Sequence, residues 1–285
     1  MGRTLWVRLF AGAFVLLGAW IAWTQNQPPA QPAKVNKIAN DLFELEGDGG
    51  NVAVYVTEDG VIVVDDKFER NYDDIMANIK KLTSKPVKYV LNTHQHGDHT
   101  GSNAKMLMNG VEVIAHRNAR ANMVTGKQPG LPGVTFGDQT QVFLGGKEVD
   151  AFYNGRGHTN GDVAIYFPAL RVVHTGDLFT TNGQGNVAPF VDYNGNGSVV
   201  EWTKTLDGIL KLDFDTVIPG HGPVSKRADL MKYRDGFAAM QSKVRDLTRQ
   251  NKSRDDVLKM LVADFGWQQT GLGTNSLDRV IAELK

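Results

Sequence analysis

Four side chains that can bind metal ions lie within six consecutive positions of the sequence. They are His94, His96, Asp98 and His99, in the run Thr-His-Gln-His-Gly-Asp-His-Thr-Gly over residues 93–101. On an extended segment, residues two apart point to the same side, so His94 and His96 can share one ion. Asp98 and His99 follow where the chain turns and can face a second ion. Because buried polar groups without partners are costly, the cluster indicates a metal site.

Three further side chains of this kind follow along the chain, each beside a glycine near the end of a predicted strand. They are His158, Asp177 and His221. An ion that keeps an open position for catalysis needs three protein ligands, so His158 is a candidate third ligand for the first ion. A carboxylate at Asp177 can bridge two ions. Ligands that recur at strand ends are typical of a site along one edge of stacked sheets.

Two other histidines lack the glycine-flanked context of these candidates. His116 ends a predicted strand, and we expect it to lie near the site and to support a ligand rather than to bind metal itself. His174 lies inside an apolar strand and is expected to be structural.

Two glycines accompany the histidine run. Gly97, between His96 and Asp98, is expected to permit the turn that separates the two halves of the cluster. Gly101 is expected to relieve crowding where a helix begins.

The composition restricts the chemistry of this site. The 285 residues include no cysteine, so ligands must be histidine and carboxylate, which favour zinc, iron or manganese. The same absence excludes disulfides and a catalytic thiol. Lys and Arg together number 31 and are balanced by 31 Asp and Glu, and we find no strongly basic run. We therefore expect a small-molecule substrate and no nucleic-acid partner. The oligomeric state is not predicted.

The first residues have a pattern of their own. Arg3 and Arg8 precede an apolar run that ends at Trp23, and a Pro/Gln-rich stretch follows. This order is typical of a secretory signal peptide over residues 1–23. An uncleaved membrane anchor over residues 5–23 is the alternative, since about 20 apolar residues span a membrane. Either interpretation predicts a periplasmic or secreted catalytic part that would touch a membrane only through this segment.

Short strand patterns alternate with helical patterns through the body of the chain. An apolar strand over residues 87–91 leads directly into the histidine run. Residues 128–137 and 182–198 are predicted to be loops, and the second loop is long enough to border a pocket. A helix is predicted over residues 199–212.

These patterns suggest a catalytic domain between two attached segments. Residues 24–36 read as a Pro/Gln-rich linker, and residues 37–225 as the catalytic domain. Residues 226–285 read as a helical extension that packs on this domain, because its apolar residues recur at helical spacing. Within the extension, Ser253 and Asp256 resemble a capping box at a helix start.

The pattern His94-x-His96-x-Asp98-His99, with the three later ligands in the same order, resembles the metallo-β-lactamase superfamily. The resemblance covers nearly all of residues 37–225 and includes Asp65, which ends a strand. It implies an αββα sandwich, in which two mixed β-sheets face each other and helices flank them. It also implies that one ion is held by His94, His96 and His158, that a second is held by Asp98, His99 and His221, and that Asp177 bridges them.

The resemblance further implies a hydrolase with two zinc ions, iron or manganese being alternatives. A hydroxide shared by the ions would attack a carbonyl, with Asp98 accepting or orienting its proton. Asp65 would orient a metal-binding histidine. The carboxylate at Asp177 is similar to glyoxalase II and lactonase members and differs from lactamases with a zinc-binding cysteine. The substrate would therefore be an ester, lactone, thioester or lactam.

Three aromatic residues near this site are expected to line a substrate pocket, namely Phe179, Phe190 and Tyr193. Other functions stay open at this point. One is β-lactamase activity, as a main or a promiscuous function. Two others are a mononuclear iron dioxygenase and a non-catalytic binding protein on the same fold.

Overall fold

A computed structural model of the chain describes residues 29–181, 190–267 and 272–285. Residues 1–23, predicted to be a signal peptide or anchor, lie outside the described residues. Among the helices of the described part, none is both long and apolar enough to cross a membrane. Residues 32–285 belong to one compact unit.

The first sheet is mixed and, within the described residues, has seven strands in the order β1 to β7. Strands β1 to β4 pair antiparallel, whereas β4 to β7 pair parallel. The strands are β1 Lys34–Lys37, β2 Leu42–Glu46, β3 Val52–Val56, β4 Val61–Val64, β5 Val87–Asn92, β6 Glu112–His116 and β7 Val134–Phe136.

The second sheet, with six strands in the described part, has the order β13-β12-β11-β10-β9-β8. Only β11 and β12 pair parallel, so this sheet is mixed as well. The strands are β8 Gln139–Leu144, β9 Lys147–Phe152, β10 Ala164–Phe167, β11 Val172–His174, β12 Thr216–Ile218 and β13 Ser225–Lys226.

Helices connect the strands and cover the outer faces of both sheets. In chain order they are α1 Tyr72–Leu82, α2 Gly97–Thr100, α3 Asn103–Met108, α4 Arg117–Thr125, α5 Trp202–Ile209, α6 Arg227–Arg249, α7 Arg254–Phe265 and α8 Leu272–Glu283. Ser253 caps α7, and its hydroxyl and the Asp256 carboxylate form the predicted capping box.

Alternation along the strands builds three apolar layers, because successive side chains point to opposite faces. Ala53 and Tyr55 of β3 face the second sheet, where they pack with Ile165 and Phe167. Their neighbours on β3 face outward against α1 and α3. The outer face of the second sheet packs against α5 to α8 in one continuous core. The predicted αββα sandwich is confirmed.

The linker prediction is wrong for its last residues. Residues 34–36 lie in β1, which pairs antiparallel with β2. The Asn36 amide also donates to Glu44 Oε2 and Glu46 Oε2, at 3.0 and 2.9 Å. Lys34 and Lys37 are exposed at the edge of the sheet, as is common for edge strands. Such a short polar strand has no apolar alternation by which the sequence could reveal it.

Three further boundaries differ from the sequence patterns. The loop predicted over residues 128–137 contains β7, and Lys226, predicted to begin the helical extension, lies in β13. The helix predicted over residues 199–212 is limited to α5. Residues 199–201 are not helical, and the Val199 N–H instead donates to the Glu283 carboxylate at 3.0 Å.

Candidate metal centre

The candidate ligands follow the carboxyl ends of strands from both sheets. Strand β5 ends at Asn92 and leads into the histidine run, while β11 and β12 lead to Asp177 and His221. Parallel pairing of β11 with β12 brings their ends together. Backbone hydrogen bonds join the two sheets here, from Val163 N–H to the Thr93 carbonyl (2.9 Å) and from Asn51 N–H to the Gly220 carbonyl (2.7 Å).

Three histidines and one carboxylate converge in a first group. His96 Nδ1 lies 3.1 Å from His94 Nε2 and 2.8 Å from His158 Nε2. Asp177 Oδ2 lies 3.5 Å from His158 Nε2 and 4.0 Å from His94 Nε2. Three ring nitrogens that face one another in this way can supply lone pairs to a common ion.

The remaining ligands form a second group beside the first. His221 Nε2 lies 3.3 Å from His99 Nε2 and 3.2 Å from Asp98 Oδ2. Asp177 Oδ1 lies 3.2 Å from His99 Nε2 and 3.4 Å from His221 Nε2. Asp177 thus offers one oxygen to each group, which is the arrangement of a bridging carboxylate.

Hydrogen bonds on the far side of the rings set the direction of two ligands. His99 Nδ1 donates to Asp65 Oδ2 at 2.7 Å, so its Nε2 faces the centre. The Thr93 hydroxyl donates to the same carboxylate at 2.7 Å, and its oxygen can accept from His94 Nδ1 at 3.1 Å. Such partners fix the tautomer and the orientation of metal-binding histidines.

The described part of the predicted loop, from Phe190 onward, orients the other two histidines of the first group. His96 Nε2 donates to Asp192 Oδ2 at 2.9 Å, which leaves Nδ1 free to face the centre. His158 Nδ1 donates to the Phe190 carbonyl at 2.7 Å. Burial raises the pKa of Asp192, but the hydrogen bond from His96 lowers it to about 2, so the partner is a carboxylate.

The electrostatics of the second group attract positive charge. Burial raises the pKa of Asp98, but the hydrogen bond from His221 and the charge of His99 bring it down to about 2. Burial lowers the pKa of His221, whereas the charge of Asp177 raises it to about 9. For Asp177 the charges of His99 and His221 outweigh burial and hold the pKa well below its ordinary value.

The first group is different, because burial dominates there. It lowers the pKa of His158 to about 4, with a further contribution from the charge of His96. It also lowers the pKa of His94 well below its ordinary value. These rings are therefore neutral at pH 7, as a metal ligand must be.

The residues present fit divalent metal ions. In each group the possible ligand atoms lie within 4.8 Å of one another. Ligand atoms about 2.0–2.1 Å from a tetrahedral zinc ion lie about 3.3 Å apart, close to the spacings seen here. Asp177 Oδ1 is buried and makes no hydrogen bond within the described residues, so it is available as a ligand.

The aromatic residues predicted to line a pocket separate into three environments. Phe190 lies beside the centre, with its ring stacked 6.5 Å from that of His96. Phe179 is only 4% exposed and packs edge-on against Tyr233 in the outer core, so its assignment to the pocket is wrong. Tyr193 instead directs its hydroxyl to Glu283 of α8, at 2.8 Å.

The two histidines outside the cluster have structural contacts. In the described structure, the ring of His116 stacks on Tyr153 at 4.1 Å, and its Nδ1 accepts from the Asn118 N–H at 3.3 Å. Neither partner is a candidate ligand, so the expectation that His116 supports a ligand is not met. His174 Nε2 donates to the Asn51 carbonyl at 3.0 Å and ties the two sheets together.

The glycines beside the centre differ in what they permit. A Cβ at Gly97 would meet nothing within 4 Å, and its φ is not positive, so the predicted need for glycine there is wrong. A Cβ at Gly101 would lie 2.6 Å from the Glu69 nitrogen, as expected for a crowded position. Gly50, which the sequence did not single out, allows close approach of the His99 ring.

Three contributors to the site were not predicted from the sequence, namely Gly50, Thr93 and Asp192. Thr93 could have been noticed, because it stands directly before His94 at the end of β5. Asp192 lies 96 positions after its partner His96, in a loop rich in glycine and asparagine. Such a loop gives no periodicity from which the contact could be inferred.

The sequence of this chain is similar to a protein family and to several characterised proteins. The family model described as the metallo-beta-lactamase superfamily matches residues 45–221, more than half of the chain. The alpha subunit of a 2,4-dinitroanisole O-demethylase from Nocardioides sp. (strain JS1661) is 29% identical over 140 residues, which are 48% of this chain and 41% of that protein. A metallo-beta-lactamase type 2 from Bacillus cereus is 27% identical over 197 residues, 66% of this chain and 73% of that protein.

Solved structures share the fold. A metallo-beta-lactamase from Pontibacter korlensis superposes with a TM-score of 0.66 at 21% identity, covering 72% of this chain and 99% of that one. The region matched by the family model contains all seven candidate ligands, and His221 is its last residue. The chain belongs to the metallo-β-lactamase superfamily of metal-dependent hydrolases.

Proposed function

We propose that this protein is a dinuclear zinc hydrolase that acts on a small carbonyl substrate, namely an ester, lactone, thioester or lactam. The observation that carries the proposal is the position of Asp177, whose two oxygens face two separate groups of ligands. His94, His96 and His158 would hold one ion, and Asp98, His99 and His221 the other. Zinc ions bound there would polarise a carbonyl oxygen and lower the pKa of a water molecule.

The exposure of the ligands indicates where a substrate would approach. His94, His99 and His158 are at most 1% exposed, whereas His96 and His221 are 27% and 37% exposed. The open side of the centre therefore lies between the two exposed rings. Phe190 beside His96 supplies an apolar surface on this side, against which the non-reacting part of a substrate can pack.

Asp98 is the residue best placed to orient the attacking water. Its side chain is 25% exposed and therefore reaches the open side of the centre. With a pKa of about 2 its carboxylate is ionised at neutral pH and accepts hydrogen bonds. We assign it the role of accepting a hydrogen bond from the water and directing it towards the carbonyl carbon.

β-Lactam hydrolysis is the second candidate, favoured by a different observation. Relatives named metallo-beta-lactamases match 60–66% of this chain at 25–30% identity. The carboxylate at Asp177 and the lack of cysteine support an ester, lactone or thioester instead. Ligands for two ions argue against a mononuclear dioxygenase, and the retention of all of them argues against a binding protein without activity.

The test combines metal analysis with a substrate panel on the purified full chain. Elemental analysis should give about two zinc ions per chain. A chromogenic cephalosporin, a lactone and a glutathione thioester then identify the preferred carbonyl. His96→Ala should abolish turnover, while His116→Asn, which keeps an acceptor for the Asn118 N–H, should not. One iron per chain, or no metal and no turnover, would overturn the proposal.

A further inference from the structure

The last helix of the chain is bonded to the loop beside the metal centre. Glu283, in the final turn of α8, accepts hydrogen bonds from the Tyr193 hydroxyl at 2.8 Å and from the Val199 N–H at 3.0 Å. Its other carboxylate oxygen accepts from the Ser198 hydroxyl. One side chain thus ties together both ends of the segment from Tyr193 to Val199.

A second residue of α8 contacts the same segment. Arg279, one turn before Glu283, donates to Asn194 Oδ1 at 3.3 Å. Its guanidinium also lies 5.6 Å from the centre of the Tyr193 ring. The face of α8 that carries both residues is therefore directed at this loop.

The loop in turn holds two candidate ligands. The Asp192 carboxylate accepts from His96 Nε2, and the Asp192 N–H donates to the His158 carbonyl at 2.9 Å. The Gly197 N–H donates to the Asp192 carbonyl at 2.8 Å, and the Ser198 N–H donates to the Gly157 carbonyl at 2.9 Å. A continuous series of hydrogen bonds therefore leads from Glu283 to His96 and His158.

We infer that Glu283 is a positioning residue for the first metal ion, and that α8 clasps the loop over residues 190–199 against its ligands. Glu283 lies beyond residues 45–221, to which the family model extends. The inference rests on the metal centre proposed above. His99, whose Nδ1 is held by Asp65 rather than by this loop, is independent of the clasp.

The experiment compares three variants with the wild-type full chain. Glu283→Ala removes all three hydrogen bonds to the loop, whereas Glu283→Gln keeps an acceptor and is expected to restore part of the effect. Asp278→Ala is the matched control, because Asp278 lies on the same helix and its carboxylate bonds Arg254 at 2.7 Å rather than the loop. Thermal unfolding of each variant shows whether it is folded.

The first measurement does not need metal. NMR of the metal-free protein should show slowly exchanging imidazole N–H protons for His96, His158 and His99, because each donates to an acceptor in the structure. In Glu283→Ala the signals of His96 and His158 should exchange faster by about tenfold or more, while that of His99 should not change. Equal protection of all three rings in wild type and Glu283→Ala would overturn the inference.

The second measurement is the release of zinc to a chromophoric chelator. Loss of a partner that orients a ligand typically costs 10- to 100-fold in metal affinity, and we expect about tenfold for one of the two ions in Glu283→Ala. An equal loss of affinity for both zinc ions, or the same loss of affinity in Asp278→Ala, would overturn the inference, because α8 would then act only through general stability. If the wild-type chain bound no zinc but differed from Glu283→Ala in the NMR measurement, the proposed function would be refuted, while the role of α8 in holding the loop would still be supported.

Discussion

Replacing Gly50 with alanine tests how closely the fold encloses the metal centre. The added Cβ would lie 2.5 Å from His99 Nδ1 and 2.6 Å from Nε2, whereas ordinary contacts begin at 3.4 Å. The φ of Gly50 is not positive, so alanine introduces no backbone strain of its own. The His99 ring and the turn that carries Gly50 must therefore move apart by about 1 Å.

Neither side of this contact can move freely. His99 Nδ1 is held by Asp65 at 2.7 Å. Gly50 donates its N–H to the Asp98 carbonyl at 2.9 Å and accepts from the buried Lys67 ammonium at 2.7 Å. Displacement of either side breaks a hydrogen bond that sets the second group of ligands.

We expect Gly50→Ala to lower the free energy of unfolding by about 1–3 kcal/mol, the usual cost of overpacking. We also expect it to lower the affinity for the metal ion held by His99 by about 10- to 100-fold, because a misoriented ligand binds metal less tightly. Chemical denaturation and chelator competition measure the two effects. Gly97→Ala is the control, since a Cβ there meets nothing within 4 Å. If Gly50→Ala retained both ions with the affinity of Gly97→Ala, the steric reasoning would be refuted.

Three further predictions concern stability and substrate binding. Burial raises the pKa of Glu44 from 4.5 to about 7, although a hydrogen bond from Asn36 acts in the opposite direction. Between these two pH values the folded protein therefore retains a proton that the unfolded chain releases. The free energy of unfolding should therefore fall as pH rises through this window. In denaturant titrations, Glu44→Gln should exceed wild type in unfolding free energy by up to about 3 kcal/mol at pH 8 and by little at pH 4. A difference that stayed constant with pH would contradict this. Phe179→Ala should cost about 3–5 kcal/mol of unfolding free energy without a specific loss of substrate affinity. Phe190→Ala should instead raise KM, with a smaller loss of unfolding free energy. The reverse pattern would contradict the positions of the two rings. Ser253→Ala should lower the unfolding free energy by about 1 kcal/mol through loss of the helix cap, and no change in the denaturation midpoint would argue against the cap.

Much of the metal centre could be predicted from local sequence. The run from His94 to His99 places four ligands within one short segment, where strand and turn geometry alone decide which way they face. His158, Asp177 and His221 were recognisable because each stands beside glycine near a strand end. The αββα layers were implied by the family pattern, and the alternation along β3 and β4 is consistent with a sheet buried on both faces.

Other features depended on contacts between distant parts of the chain. Asp192 reaches His96 across 96 positions, and Glu283 reaches Ser198 across 85. Phe179 and Phe190 are the same residue type close in sequence, yet one lies in the outer core and the other beside the metal centre.

The candidate ligands are recognisable in the sequence, because the identity of a ligand and its place near a strand end are local properties. Which side chains orient those ligands depends on the tertiary structure. Hydrogen bonds such as that from His96 to Asp192 form only when packing closes a loop, and no periodic pattern records where the loop will close. The need for glycine at Gly50 has the same origin, since only the folded position of His99 makes a Cβ there too large.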